Sequence, residues 1–329
     1  MVWKRSLILI FVLIIGTLQV DAQKLFGINR VIDSVLTARY RRADIDTLYV
    51  TRPQTKWALM GRMNVSGSQI KAIGIDYGQH FESEMKANEK ATLSIGVSYL
   101  GLSLSLALNP AKLLGKYHDY ELNFKSYGRR FGFDIAYQDA RNFKGWHEAG
   151  GVREDFTTSD DMFKLRTFNV NAYYAFNHRR FSYSAAFAHS YIQRRSAGSF
   201  LLAASGQGQH GKTNGEELNI DFKMTNIGIG AGYGYNYVPS TGWLLHFSAL
   251  PTFIVYSKTS ITIDGNKIPL HYHFPEIIAT TRASIVKQIG SNKFAGLSMV
   301  YHYTNIGNKE NLTIRNHKWI ARLYFGFRL

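Results

Sequence analysis

Two side chains that are two residues apart on an extended strand share one face. His246 and Ser248 have that spacing. With an orienting polar or acidic group, such a pair makes the base and nucleophile of an ester hydrolase, as in a lipid-modifying enzyme. No orienting acid can be assigned on a neighbouring strand from sequence. The preferred reading is therefore that His246 and Ser248 are ordinary inward polar groups opposite Trp243, Leu245 and Phe247. His189 and Ser190 are adjacent and would point to opposite faces, while His178 and Ser182 span a turn. His271 and His273, with Asp264 and Glu276 nearby, could begin a metal site. Two ligands do not define one, and an external aromatic loop is preferred. His302 aligns with Val300 and Ser298 and has no visible partner. There is no phosphate-binding glycine loop, no His-Glu-x-x-His and no cysteine. Gly228, Gly230, Gly232 and Gly234 recur with a strict period of two, which marks a strand face and not a nucleotide loop. No catalytic residue, cofactor or metal is expected, and the chain is not expected to be an enzyme.

Charged residues spaced at two form a larger set. Asp119, Glu121 and Lys125 share one face of a strand, and Arg130 and Asp134 share a face of the next. Glu276, Arg282, Arg322 and Arg328 do the same towards the end of the sequence. On a lipid-facing wall a mid-plane Arg or Lys costs roughly 2–4 kcal/mol. These nine residues are therefore expected to line a lumen, either as a selective path for water and solutes or as a closed network of ion pairs.

The elements that would carry them follow from the same period. Trp319, Ala321, Leu323, Phe325, Phe327 and Leu329 alternate with Lys318, Arg322, Tyr324, Gly326 and Arg328, so one face suits lipid and the other water. Residues 91–99 and 101–109 alternate with a phase flip across Leu100-Gly101, as a tight hairpin produces. The expected strands are 46–53, 57–66, 68–78, 91–99, 101–109, 117–127, 130–139, 166–177, 180–200, 223–237, 243–257, 276–288, 293–305 and 316–328. Short connections at Gly67, 100–101, 128–129, 177–179, 238–241 and 289–292 would face the periplasm. Longer ones at 79–90, 140–165, 201–222, 258–275 and 306–315 would face outside. Glycine repeated along the 228–234 face leaves room for a plug or a bulky neighbour. The fold class expected is all-β: a transmembrane antiparallel barrel of about twelve to fourteen strands. A soluble β-sandwich also alternates, but needs fewer strands.

Residues 1–22 read as a cleaved signal peptide, with Lys4 and Arg5 before an apolar run from Leu7 to Ile15. Segment 23–45 reads as a short amphipathic helix, because Leu25, Ile28, Ile32 and Val35 recur at three and four. Residues 46–329 are assigned to the barrel. The formal net charge of +16 suits an anionic surface such as phosphate-rich lipopolysaccharide more than nucleic acid. Expected partners are thus the outer membrane, its lipopolysaccharide, and the barrel-assembly machinery through the terminal strand.

Several segments resemble an uncharacterised family of outer-membrane β-barrel proteins typical of Bacteroidetes. They are 180–188 (RFSYSAAFA), 193–202 (QRRSAGSFLL), 95–106, 127–133 and 231–236. The chain departs from that family at Ala87-Asn88-Glu89, where Pro-Asn is expected. The resemblance implies an outer-membrane barrel in a Gram-negative cell and carries no reaction with it. The leading functional expectation is porin-like passage or binding of a small solute through a charged lumen. The alternatives are a non-conducting structural or interaction barrel and, third, a lipid-modifying hydrolase.

Overall fold

The computed structural model describes residues 30–41, 44–76, 78–87, 89–100, 102–108, 120–128, 130–141, 143–158, 162–213, 219–268, 274–308 and 312–329. The signal-peptide expectation lies outside these residues. Two compact units divide at Asp44/Ile45. The first contributes one described helix, α1 (Arg30–Arg41), inside the expected 23–45 segment; Asp33 in its first turn accepts a hydrogen bond from Thr37 Oγ1 at 3.1 Å.

The second unit is built from β1 (Val50–Thr51), β2 (Trp57–Asp76), β3 (Gln79–Ala87), β4 (Lys90–Tyr99), β5 (Leu102–Leu108), β6 (Tyr120–Tyr127), β7 (Phe131–Ala140), β8 (Phe143–Ala149), β9 (Val152–Thr157) and β10 (Phe163–Ala175). A one-turn helix α2 (Tyr183–Phe187) follows, then β11 (Ile192–Gln193), β12 (Ala197–Thr213), β13 (Ile220–Tyr237), β14 (Trp243–Ile263), β15 (Asn266–Ile268), β16 (Ile277–Ile289), β17 (Lys293–Asn308) and β18 (Leu312–Arg328). Twelve strands form a closed antiparallel ring in the order β2, β4, β5, β6, β7, β10, β12, β13, β14, β16, β17, β18. Pairing of β18 with β2, from Arg328↔Ala58 to Leu312↔Gly74, closes it.

Alternation sets which way each residue faces. Phe200, Leu202, Ile227, Ile229, Phe247, Leu297, Leu323 and Phe325 point outward and are exposed, while Asn171, Ser205, Gln207, Asn226 and Ser248 point inward and are buried. An apolar exterior around a polar interior is the inverse of a soluble protein and is what a membrane barrel requires. Tyr237, Trp243, Phe131, Phe176 and Phe327 gather at the short-turn end, in the position of an interfacial aromatic girdle. A bulge near Ile227/Gly228 resets the phase of β14, so Val255 and Tyr256 both face out.

Several expected boundaries are corrected. The strands expected at 57–66 and 68–78 merge into one, Trp57–Asp76; Gly67 is not a turn, and the space beside it is filled by the Trp319 indole, whose Nε1 would lie 2.9 Å from an added Cβ. Segment 46–53 is not a wall strand, since only β1 pairs, and with β11. Segment 180–200 joins the wall only from Ala197; before it stand α2 and the two-residue β11, which pairs with β1. The expected loops 79–90, 140–165, 201–222 and 306–315 are largely strand, and 258–275 begins as strand through Ile263 and again over Asn266–Ile268. Outside the lipid belt both faces of a strand are wet, so the apolar alternation vanishes while the backbone pairing persists. There β3, continuous in direction with β4, pairs with the far half of β2 and with β8, and β9 forms an exposed edge.

Candidate functional site

The lumen is occupied by its own chain. Between β10 and β12, at the short-turn end, residues 176–196 fold inward. Asn177 marks the departure from the wall: its Nδ2 donates to the Gly198 carbonyl at 2.7 Å, and its backbone N donates to Ser199 Oγ at 3.0 Å. Ser182 then caps α2, accepting from Ala185 N at 3.2 Å. Small residues follow (Ala185, Ala186, Ala188), and with Phe181, Tyr183 and His189 they are almost wholly buried. Segment 180–188 is a plug in which both faces meet protein; it reads as a strand in sequence because Phe181, Tyr183 and Phe187 recur at even spacing between small residues.

Contacts from the plug reach many wall strands. Tyr183 packs on Tyr173 at 4.3 Å, on His246 at 4.9 Å and on Tyr127 at 6.1 Å between ring centres. His189, with φ of 60°, stacks on Phe294 at 4.1 Å and lies 4.9 Å from Tyr324. Positive φ at a non-glycine residue is strained backbone, held here by its surroundings. Gln193 clamps the base: its Nε2 donates to the carbonyls of Arg180 (2.6 Å) and Arg195 (2.9 Å), and its Oε1 accepts from Ser182 N (3.2 Å) and Asn236 Nδ2 (2.9 Å). Below it, Asp46 pairs with Arg180 at 3.0 Å.

His246 and Ser248 belong to this packing. Asn236 spends its amide hydrogens on Ser182 O and Gln193 Oε1, so its Oδ1 is the acceptor facing His246 Nδ1 at 2.7 Å. That places the imidazole proton on Nδ1 and leaves Nε2 to accept from Ser248 Oγ at 3.0 Å. The order orienter, base, hydroxyl is that of a nucleophilic triad. Sequence reasoning missed Asn236, although it sits opposite His246 across the β13–β14 hairpin. Yet Ser248 is 0% and His246 3% exposed, beneath Phe181, Tyr183 and Phe187. A substrate carbonyl cannot reach the hydroxyl while the plug is in place.

The charged candidates occupy three levels. At mid-lumen, Arg282 Nη2 on β16 meets Asp134 Oδ2 on β7 at 2.7 Å, with the arginine 2% exposed. Those strands lie almost opposite in the ring, so the pair crosses the lumen. Asn171 Nδ2 donates to Asp134 Oδ1 (3.2 Å), and its Oδ1 accepts from Ser205 Oγ (3.0 Å) and from Thr280 Oγ1 across the barrel (3.4 Å). Lys125 sits opposite Asp134 in register, and Arg322, Arg62 and Arg282 are its other charged neighbours. At the short-turn end, Arg328 donates from Nε to the His189 carbonyl (3.0 Å) and from Nη1 to Gln288 Oε1 (2.8 Å), tying the closing strand to the plug. Glu276, at the long-strand end, accepts from Gly307 N at 2.8 Å. Arg130 does not reach the lumen: it is exposed in the turn before β7 and bonds His178 Nε2 at 3.1 Å. Asp119 and the Glu121 side chain lie outside the described residues, as do His271 and His273. Among the described residues no group of three or more metal-binding side chains occurs.

The inward glycines serve two ends. A Cβ on Gly234 would lie 2.9 Å from Phe181 Cζ, so this glycine makes room for the plug. One on Gly230 or Gly232 would lie about 2 Å from a carbonyl oxygen of β14, so there the close approach is between strands.

The family described as Domain of unknown function (DUF4421) matches residues 44–329. The chain belongs to this family. No curated protein matches in sequence. Among solved structures, the outer membrane protease OmpT from Escherichia coli shares 8% identity at a TM-score of 0.43, over 84% of this chain and 97% of that one. The COG4313 outer membrane channel from Pseudomonas putida F1 shares 11% at 0.34, over 83% and 97%. The outer membrane protein OprG from Pseudomonas aeruginosa shares 8% at 0.28, over 84% and 98%. Likeness at this level carries no argument about activity, and the barrel assignment rests on the strand pairing itself.

Proposed function

We propose that this protein is a bacterial outer-membrane barrel that does not conduct in its resting state and acts through its outer surface. The observation that carries the reading is the Arg282–Asp134 bridge across the lumen above a built-in plug. Of the three sequence expectations, this favours the non-conducting interaction barrel over open solute passage. Short turns then lie in the periplasm, and the long-strand end lies outside. The buried His246–Ser248–Asn236 chain is read as a strut for the plug and not as a hydrolase.

Lipopolysaccharide is the surface partner that charge favours. Just beyond the apolar belt, the outward faces of β10, β12, β13 and β14 carry Lys164, Arg166, His210, Lys212, Lys223 and Lys258. Lys164, Arg166 and Arg141 converge on the single carboxylate of Asp139, and Lys223 and His210 on that of Asp221. Cations thus exceed anions where lipid phosphates would lie.

The test is single-channel recording of the refolded protein in a planar bilayer. Silence is expected from the wild type. Steps are expected once the plug is excised and β10 is joined to β12 by a short turn. Conducting steps from the intact, folded protein would overturn the reading.

A further inference from the structure

Outward faces of adjacent strands line up in rungs. One rung runs Tyr237, Leu245, Ile285, Leu297, Leu323, Met63 across β13, β14, β16, β17, β18 and β2. The next, further from the short turns, runs Tyr235, Phe247, Ala283, Met299, Ala321, Val65. Ala283 and Ala321 flank Met299, and the loss of side-chain volume on both sides hollows the wall. The result is an open, almost wholly apolar groove of about 640 Å³ on the outside of the barrel. That volume lies within the ~300–1,000 Å³ of small-molecule sites.

One rung nearer the short turns, the face changes character. Lys287 stands there with its Nζ 4.7 Å over the Trp243 ring, and Lys293 follows on β17, exposed. Lys287 is two residues from Ile285, hence roughly 7 Å along the strand from the groove. An apolar groove ending at two cations beside an interfacial tryptophan matches an acyl chain ending in a phosphate. A second copy of the barrel docked symmetrically on the same face would bring like charges together.

We propose that this groove is a specific site for one anionic glycerophospholipid of the periplasmic leaflet. Its acyl chain lies over Ala283 and Ala321, and its phosphate lies between Lys287 and Lys293. The proposal rests on the membrane-barrel reading above but not on the closed lumen.

The experiment is native mass spectrometry of the full chain released from nanodiscs of equal parts phosphatidylcholine and phosphatidylglycerol. One retained phosphatidylglycerol is expected on the wild type. Lys287→Gln should lower its preference over phosphatidylcholine about fivefold, and Ala283→Phe should lower retention of both lipids. Folding of each variant is checked by heat-modifiable mobility. A folded wild type with no adduct overturns the site. So does retention unchanged by both substitutions, or a retained mass that is lipopolysaccharide or a second chain. Protein that fails to enter nanodiscs at all overturns the membrane reading instead.

Discussion

At the scale of single residues the lumen is governed by one ion pair. Arg282 and Asp134 are both withdrawn from water and depend on each other. Removing one partner leaves a buried charge without its counter-ion, which costs about 3–5 kcal/mol, whereas replacing both with apolar residues of similar size is near neutral. Arg282→Ala is therefore expected to lower the urea midpoint of the refolded barrel, and Arg282→Met with Asp134→Leu to restore it. Equal losses in the single and double variants would show that the pair is not coupled. Both residues were legible as inward-facing from their two-residue phase. Their meeting was not, because they are 148 positions apart and only ring closure opposes their strands. Asn236 was hidden differently: its partner His246 was in view, but an asparagine in a glycine-rich strand carries no mark of its role.

At the scale of elements, legibility followed the lipid belt. Strands 91–99, 243–257 and 316–328 were readable where one face had to be apolar. Beyond the belt, the extension of β3, β8 and β9 looked like loop because water lies on both sides. This extension carries its own titration. The Lys86 ammonium, hydrogen-bonded to Glu84, holds that carboxyl below its ordinary 4.5, against the opposing effect of burial. A carboxylate depressed on folding contributes stability that is fully present above the unfolded value and is lost as pH falls through the folded one. Hydrogen exchange of β3 and β8 should therefore quicken as pH drops below 4.5, relative to intrinsic rates. Glu84→Gln should flatten that response. The plug was misread for a different reason: Phe181, Tyr183, Ala185 and Phe187 alternate with Ser182, Ser184 and Ala186, which is the spacing of a strand.

At the scale of the whole molecule, protection should be graded. Each ring strand has a partner on both sides, and the ring has no edge within the membrane. The extension ends at β9, whose residues are all exposed and which, among the described residues, pairs only with β8. Local opening is easiest where few buried contacts hold the backbone. Amides of β9 are expected to exchange first and those of β2, β17 and β18 last, as read by mass spectrometry in lipid. Uniform exchange across all of these would contradict the graded picture.

The plug is not a separate domain pushed into a finished tube. It is the connection between two neighbouring staves, attached at Asn177 on one side and at Ala197 on the other. Such a segment cannot be ejected and later recaptured; any opening must be a rearrangement in place, within reach of two short tethers. Its grip is mutual: Arg328 of the closing strand holds the backbone of His189, so the seam between β18 and β2 and the seated plug brace one another.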